Sequence, residues 1–486
     1  MLSELKRLAA HTSVYGLSNI ISRSITFLLL PIHTHLLSSR TEFGEVTLFI
    51  MFISFTNVLF LLGFDTAFFR FYMMPEKGYT VKNVFSTAFY TICSVSIVLS
   101  ALIYFKADFI SRICLPGSEY GYIVKWAAGI LLFDALAVLP FLVLRAENRP
   151  VLFMVFKLIN VILTIAFNVV FILMRGKEGV FIANFAASVI TFLMVCPIIM
   201  RRLTINLSKT VFAGLMKFGL PYIFPGLSVV SVDLIDRYFI EIIHGEDMVG
   251  LYSASYRISM IMWVVISAFR FAWHPFFMSV AQRDDAKAIY ARVLTYFILL
   301  TGWVYLFVSY FVRTFVSIKI PFTDVFLIPQ IYWSGLTIVP VVMLAYIFSG
   351  IYVNFIVGIY IKKQSQYLPF ITITAASVNV VLNFVLIPPY GMMGAAVSTA
   401  ISYAVMTVIL YGVTRKIYPI TYEFSRIFHL GVVIIVLFFI PFFISGTTEI
   451  IIKICLLIAY PIILYITKFF TEEENRYIHK KLNMGG

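Results

Sequence analysis

The stretch VLFMVFKLINVILTIAFNVVFILMRGKEGVFIANFAASVITFLMVCPIIM, Val151 to Met200, decides the fold. Two apolar runs, 151–174 and 179–200, flank a short polar segment from Arg175 to Glu178. Each run has the ~20 residues that a helix rising ~1.5 Å per residue needs to cross a ~30 Å hydrocarbon layer. Inside that layer every backbone polar group must find its partner within the chain, so only helices and closed barrels cross it. A barrel would read as segments of about ten residues with alternating polarity, and the sequence has none. The stretch therefore reads as a hairpin of two membrane-crossing helices.

Outward from it the pattern recurs. Apolar runs lie at 11–36, 45–72, 83–105, 122–144, 219–243, 250–273, 288–312, 338–361, 367–388, 391–413, 427–445 and 449–468. The expectation is an all-α membrane protein of about fourteen transmembrane helices. In the tenth run Leu327 to Val357 is longer than one helix needs, and Pro329 should end a short lead-in. Only 12% of the 486 residues are charged, against about 25% in soluble domains. With Glu4, Lys6 and Arg7 ahead of the first apolar run, no cleavable leader is expected. Cys93, Cys114, Cys196 and Cys455 are far apart with no metal-binding spacing, and the three in apolar runs read as packing residues.

Of the 37 Lys and Arg residues, 22 fall on one set of loops, among them Lys82, Arg202, Lys362 and Arg426, and eight on the other. By the positive-inside rule the first set and both chain ends are cytoplasmic. The net charge of +14 is then a topology signal, and no nucleic-acid partner is needed to explain it. The segment 201–218 is more polar, with Val211, Phe212, Leu215 and Phe218 on one helical face, which suits the inner membrane surface.

The halves resemble each other. Phe43-Gly44-Glu45-Val46-Thr47 opens one span and Val249-Gly250-Leu251-Tyr252-Ser253 another, 206 residues on. Asn168 precedes Gly179 by eleven positions and Asn383 precedes Gly394 by eleven, an offset of 215. Duplication of a six-helix unit follows, with both copies running in the same direction. The expected division is an N-lobe (1–200), an interfacial linker (201–218), a C-lobe (219–413), and two further helices with a cytoplasmic tail (414–486).

Seven cations remain within the spans: Arg23, Arg70, Lys125, Lys157, Arg237, Arg257 and Arg270. The acids there are Asp65, Asp134, Asp233 and Asp236. Each such charge costs roughly 2.5–3.5 kcal/mol at mid-bilayer, so most must face water or a partner, and a hydrated cationic cavity is expected. Arg23 is near mid-bilayer and Arg257 about ten ångströms from the outer end, at ~1.5 Å per residue. Asp233 and Arg237, four apart, suit a local ion pair that leaves Asp236 free. Lys125 and Arg270 are near span ends and suit snorkelling. His33 and His35, two apart, cannot share one ion on a helix. No nucleophile–base pair, metal set or phosphate loop stands out, which argues against an enzyme.

Three segments resemble the polysaccharide flippase branch of the multidrug/oligosaccharidyl-lipid/polysaccharide exporter superfamily: Phe43 to Tyr72, with Leu62-Gly63-Phe64-Asp65; Leu234-Ile235-Asp236-Arg237 with Val249 to Ala254; and Gly358 to Ala396, with Asn379, Asn383 and Gly391-Met392-Met393-Gly394. The resemblance implies two lobes about a central cavity. It also implies flipping of undecaprenyl-pyrophosphate-linked oligosaccharide to the outer leaflet of the cytoplasmic membrane, for surface polysaccharide such as the O-antigen of lipopolysaccharide. Family members line the cavity with Arg and Lys. The candidate substrate-binding residues are thus Arg23, Arg257, Lys157, Arg70 and Arg270. Asp65, Asp233 and Asp236 are candidates for coupling to a proton or sodium ion, with no other cofactor and no metal. The partners are the lipid-linked oligosaccharide, the bilayer and a polysaccharide polymerase. A lipid II flippase, a multidrug exporter of the same superfamily or a membrane-bound transferase stay open as alternatives.

Overall fold

The computed structural model describes residue 25 and residues 27–74, 79–114, 120–205, 207–321, 324–362, 364–443, 449–472 and 474–476. These residues form helices without a β-strand; a single antiparallel bridge joins Lys319 and Phe326. In chain order the helices are α1 (Phe27–Leu36), α2 (Arg40–Leu61), α3 (Phe64–Met73), α4 (Val81–Phe105), α5 (Ala107–Cys114) and α6 (Gly121–Ala146). There follow α7 (Pro150–Arg175), α8 (Lys177–Met200), α9 (Lys209–Gly219), α10 (Ile223–Leu234), α11 (Asp236–His244) and α12 (Glu246–Val280). The rest are α13 (Ala286–Val316), α14 (Val339–Phe355), α15 (Val357–Ile361), α16 (Tyr367–Ile417), α17 (Phe424–Phe439) and α18 (Glu449–Ile466). Eleven helical stretches among the described residues are long and apolar enough to cross a membrane. A count of fourteen further requires that the 51-residue α16 cross twice and that the shorter α1 and α17 also cross.

Local chemistry sets the ends. Ser39, Thr80 and Ser208 each accept a backbone N–H through the side-chain oxygen and start α2, α4 and α9. The hairpin Val151–Met200 is α7 and α8, turned at Gly176 with φ 56° and ψ −136°. The same turn recurs 215 residues later: Gly391, just after Pro388-Pro389, has φ 53° and ψ −131° and breaks α16 into two. At Gly179 a Cβ would lie 2.0 Å from the Phe171 oxygen, and at Gly394 2.1 Å from the Leu386 oxygen. The repeat is thus carried in backbone geometry as well as in residues.

Two expected spans are broken. The run 45–72 is α2 and α3, separated where Leu62 and Gly63 both take positive φ. The run 219–243 is a short 3-10 turn, then α10, then α11, with Pro221 at the first break and Ile235 at the second. Within the expected linker, α9 packs on α3 and α4, buries Val211 and Leu215, and leaves Phe212 exposed. Pro329 precedes a 3-10 turn, Gln330–Ile338, that leads into α14.

Helices α2, α4, α6, α7 and α8 pack into one bundle and α10, α12, α14 and α16 into a second; α17 and α18 lean on α13. The bundles meet where α2 crosses α12. A Cβ on Gly44 would lie 2.0 Å from the Glu246 oxygen, and one on Gly250 2.0 Å from the Arg40 oxygen. Only glycine lets the two backbones approach so closely, and in lipid close packing of this kind is what holds helices together. Arg40 grips Asp247 across the same crossing, with a 2.8 Å ion pair and a second 3.0 Å hydrogen bond.

Candidate substrate cavities

Each bundle holds a cavity whose largely apolar wall carries a few polar and charged groups. The first, about 300 Å³, is lined by His33, Asp134, Asn160, Asn184, Ser188 and Arg257. The second, about 400 Å³, is lined by Asp233, Trp263, Arg270, Trp273, His274 and Tyr403.

Arg257 belongs to α12, in the second bundle, yet it reaches the first cavity. It is buried, with its guanidinium 4.7 Å from the centre of the Phe43 ring on α2 and Nη1 3.1 Å from His33 Nδ1 on α1. Among the described residues no carboxylate lies within ion-pair distance of it. His33 Nε2 lies 2.9 Å from Asn168 Oδ1, and Asn168 Nδ2 donates to the Thr164 carbonyl at 2.8 Å. Asn160, Thr164 and Asn168, four apart, put a polar stripe along α7.

Arg237 is paired differently from expectation. It meets Asp233 only through the backbone carbonyl, at 2.6 Å, and forms its ion pair with Asp236 at 2.7 Å. The reason is the helix break at Ile235. Asp236 opens α11, and its carboxylate also accepts the Arg237 backbone N–H at 2.9 Å. Asp236 is therefore not free: it also accepts from Tyr252, while Arg237 lies over the Tyr256 and Tyr252 rings at 4.3 and 5.4 Å. The Asp233 carboxylate accepts from Tyr403 on α16 and remains on the second cavity wall.

Of the other candidates, Lys157 stands 4.2 Å from the Phe141 ring centre and faces Asp134, which in turn faces Ser188. Arg270 lines the second cavity. Arg70 and Asp65 line neither: Asp65 is exposed at the start of α3, and Arg70 lies 4.4 Å above the Phe218 ring. Arg23 lies outside the described residues. His33, Asn160, Asn168 and Tyr403 were not singled out as site residues from sequence, although the four-residue spacing on α7 was visible there.

A family model described as polysaccharide biosynthesis protein matches residues 34–321, more than half of the chain. The chain belongs to the polysaccharide biosynthesis protein family. No curated protein matches. Among solved structures the chain is similar to the lipid II flippase MurJ in an inward closed conformation, with a TM-score of 0.70 and 16% identity over 94% of this chain and 99% of that one. It is also similar to an inward-facing multidrug resistance MATE family transporter of the MOP superfamily: TM-score 0.64, 16% identity, 81% of this chain and 94% of that one. A MOP superfamily transporter from Pyrococcus furiosus, noted for the reverse polarity of its binding pocket, gives a TM-score of 0.62 and 14% identity over 84% and 95%. The chain thus shares the fold of transporters of the MOP superfamily, the superfamily its sequence resembles, and is a multi-pass membrane protein.

Proposed function

We propose that this protein flips an undecaprenyl-pyrophosphate-linked oligosaccharide from the inner to the outer leaflet of the cytoplasmic membrane, for O-antigen-type surface polysaccharide. One observation carries the reading: Arg257 is a buried cation with no carboxylate partner among the described residues, held on a cavity wall. A charge in that position calls for a mobile counter-ion. A pyrophosphate leaving water supplies one, and a guanidinium grips phosphate oxygens in a planar fork. Arg270 on the second cavity wall and Lys157, beside Asp134 but on neither cavity wall, are further cations in the two bundles. The family match supports a role in polysaccharide assembly, and the transporter fold supports movement of substrate between two openings. Loop charge supports a cytoplasmic position for both chain ends, and the lobes 1–200 and 219–413 are read onto the two bundles. A polymerase is the partner that would consume the product.

Arg257→Ala should reduce surface polysaccharide at least ten- to hundredfold, because hydrogen bonds to a charged group contribute about 1.5–3 kcal/mol each. Protein level in the membrane should be unchanged. Arg257→Lys should restore part of the loss by supplying charge without the fork. Normal polysaccharide in the Ala variant would remove Arg257 from the site.

A further inference from the structure

Atoms within hydrogen-bonding distance fix the state of His33. A guanidinium only donates, so Nδ1 of His33 must be the acceptor of the 3.1 Å contact with Arg257 Nη1. The ring is then neutral, with its proton on Nε2, and Nε2–H donates to Asn168 Oδ1 at 2.9 Å. Asn168 can take that role because its own amide is spent on the Thr164 carbonyl. The chain of contacts from Thr164 through Asn168 and His33 to Arg257 Nη1 runs in one donor–acceptor sense and holds the guanidinium at the cavity wall.

We propose that His33 is a proton-linked positioning residue: a proton added at Nδ1 breaks its bond to Arg257 and hands the arginine to an anionic phosphate ligand. The proposal rests on the reading of Arg257 as the phosphate-binding residue. The only bond made is Nδ1–H, with the proton supplied by hydronium from solvent, and no group is transferred. The proton arrives at Nδ1, the Arg–His contact is lost, and two cations are left side by side. That arrangement is stable only with a counter-anion between them, so proton and phosphate bind together. By reciprocity, phosphate binding must draw a proton onto the ring to the same degree.

The other groups around His33 do not substitute for this pairing. Tyr332 reaches Phe43 rather than the His33 ring. Glu45 on α2 is held by Lys177 at 2.6 Å and by Tyr120 at 2.8 Å. Asp134 on α6 lines the same cavity with Lys157 beside it. His35 turns away, to the Leu327 carbonyl at 3.2 Å. Asp65, Asp233 and Asp236, the acids expected to couple an ion, are all elsewhere.

The test uses the full chain in nanodiscs with inorganic pyrophosphate as probe. Binding is followed by calorimetry in two buffers of different ionisation heat, which counts the protons taken up. Pyrophosphate titrates too, but equally for each variant, so the difference between wild type and His33→Gln belongs to the ring. The Gln amide can accept from Arg257 and donate to Asn168 without titrating. Wild type should take up more protons than His33→Gln. Its affinity should also gain, relative to the variant, by up to about tenfold for each pH unit lowered from 8 to 6. Nitrogen spectra of ¹⁵N-histidine-labelled wild type should show the resonance absent from His33→Gln pass from the Nε2–H form to the imidazolium as pyrophosphate is added. Equal proton uptake by the two proteins, or an unchanged ring spectrum on binding, overturns the inference. Equal pyrophosphate binding by wild type and Arg257→Ala overturns the reading beneath it instead.

Discussion

Glu147, in the turn between α6 and α7, is the anchor of that end of the first bundle. It accepts two 2.6 Å hydrogen bonds from Arg202 Nη2 and one of 3.0 Å from Tyr72, with Arg149 3.5 Å away. Burial pushes its carboxyl up, but the Arg202 fork and the Tyr72 hydroxyl outweigh it and hold the group below the usual 4.5. A depressed carboxylate stabilises the fold above about pH 4.5 and loses that contribution as pH falls through its lowered value. Glu147→Gln should therefore cost about 1–2 kcal/mol near pH 7, discounted for partial exposure. The gap to wild type in thermal unfolding should narrow as pH falls below about 4.5 and on through the lowered value; a gap that stays constant through the acid range would deny the ionic origin. Arg257 could be found from sequence because a charge inside an apolar run is conspicuous whatever surrounds it. Asp233 with Tyr403, 170 positions apart, could not, since nothing local records which distant hydroxyl a carboxylate will meet. Helical spacing leaves Asp236 free only for a helix that runs unbroken through Ile235, and the helix restarts there.

Among the elements, the two hairpins turned at Gly176 and Gly391 form a natural matched pair. Both glycines have positive φ with strongly negative ψ, a region closed to residues with a Cβ. Nothing lies within 4 Å of a Cβ built on Gly176, and only His244 Nε2, at 3.8 Å, near one on Gly391. The penalty for alanine is then backbone strain alone, about 1–3 kcal/mol, and should be similar at the two sites. Thermal unfolding of Gly176→Ala and Gly391→Ala measures it; a marked inequality would mean that the turns are not equivalent. Spans were legible because apolar length is a one-dimensional property. The breaks at Leu62-Gly63 and Ile235 were not, because the run stays apolar through both.

For the whole molecule, loop charge and the Arg40–Asp247 pair set one prediction. Reporter fusions after Arg202 and Lys362 should read cytoplasmic and one at Glu246 external; a cytoplasmic signal at Glu246 would invert the assignment. The crossing beside that pair is reciprocal, position 40 meeting 250 and 44 meeting 246, each 206 residues from its counterpart. Mutual contacts of that kind are what two copies of one chain make about a two-fold axis. The interface has the geometry of a homodimer, but it lies inside one polypeptide. A true homodimer must carry every substitution twice, so its two cavities would always match. In the fused chain Arg257 has Met51 as its counterpart, and the halves have been able to diverge. Covalent union thus lets the buried guanidinium of Arg257 stand on one side of the crossing opposite a buried methionine on the other, an asymmetry closed to any pair of identical subunits.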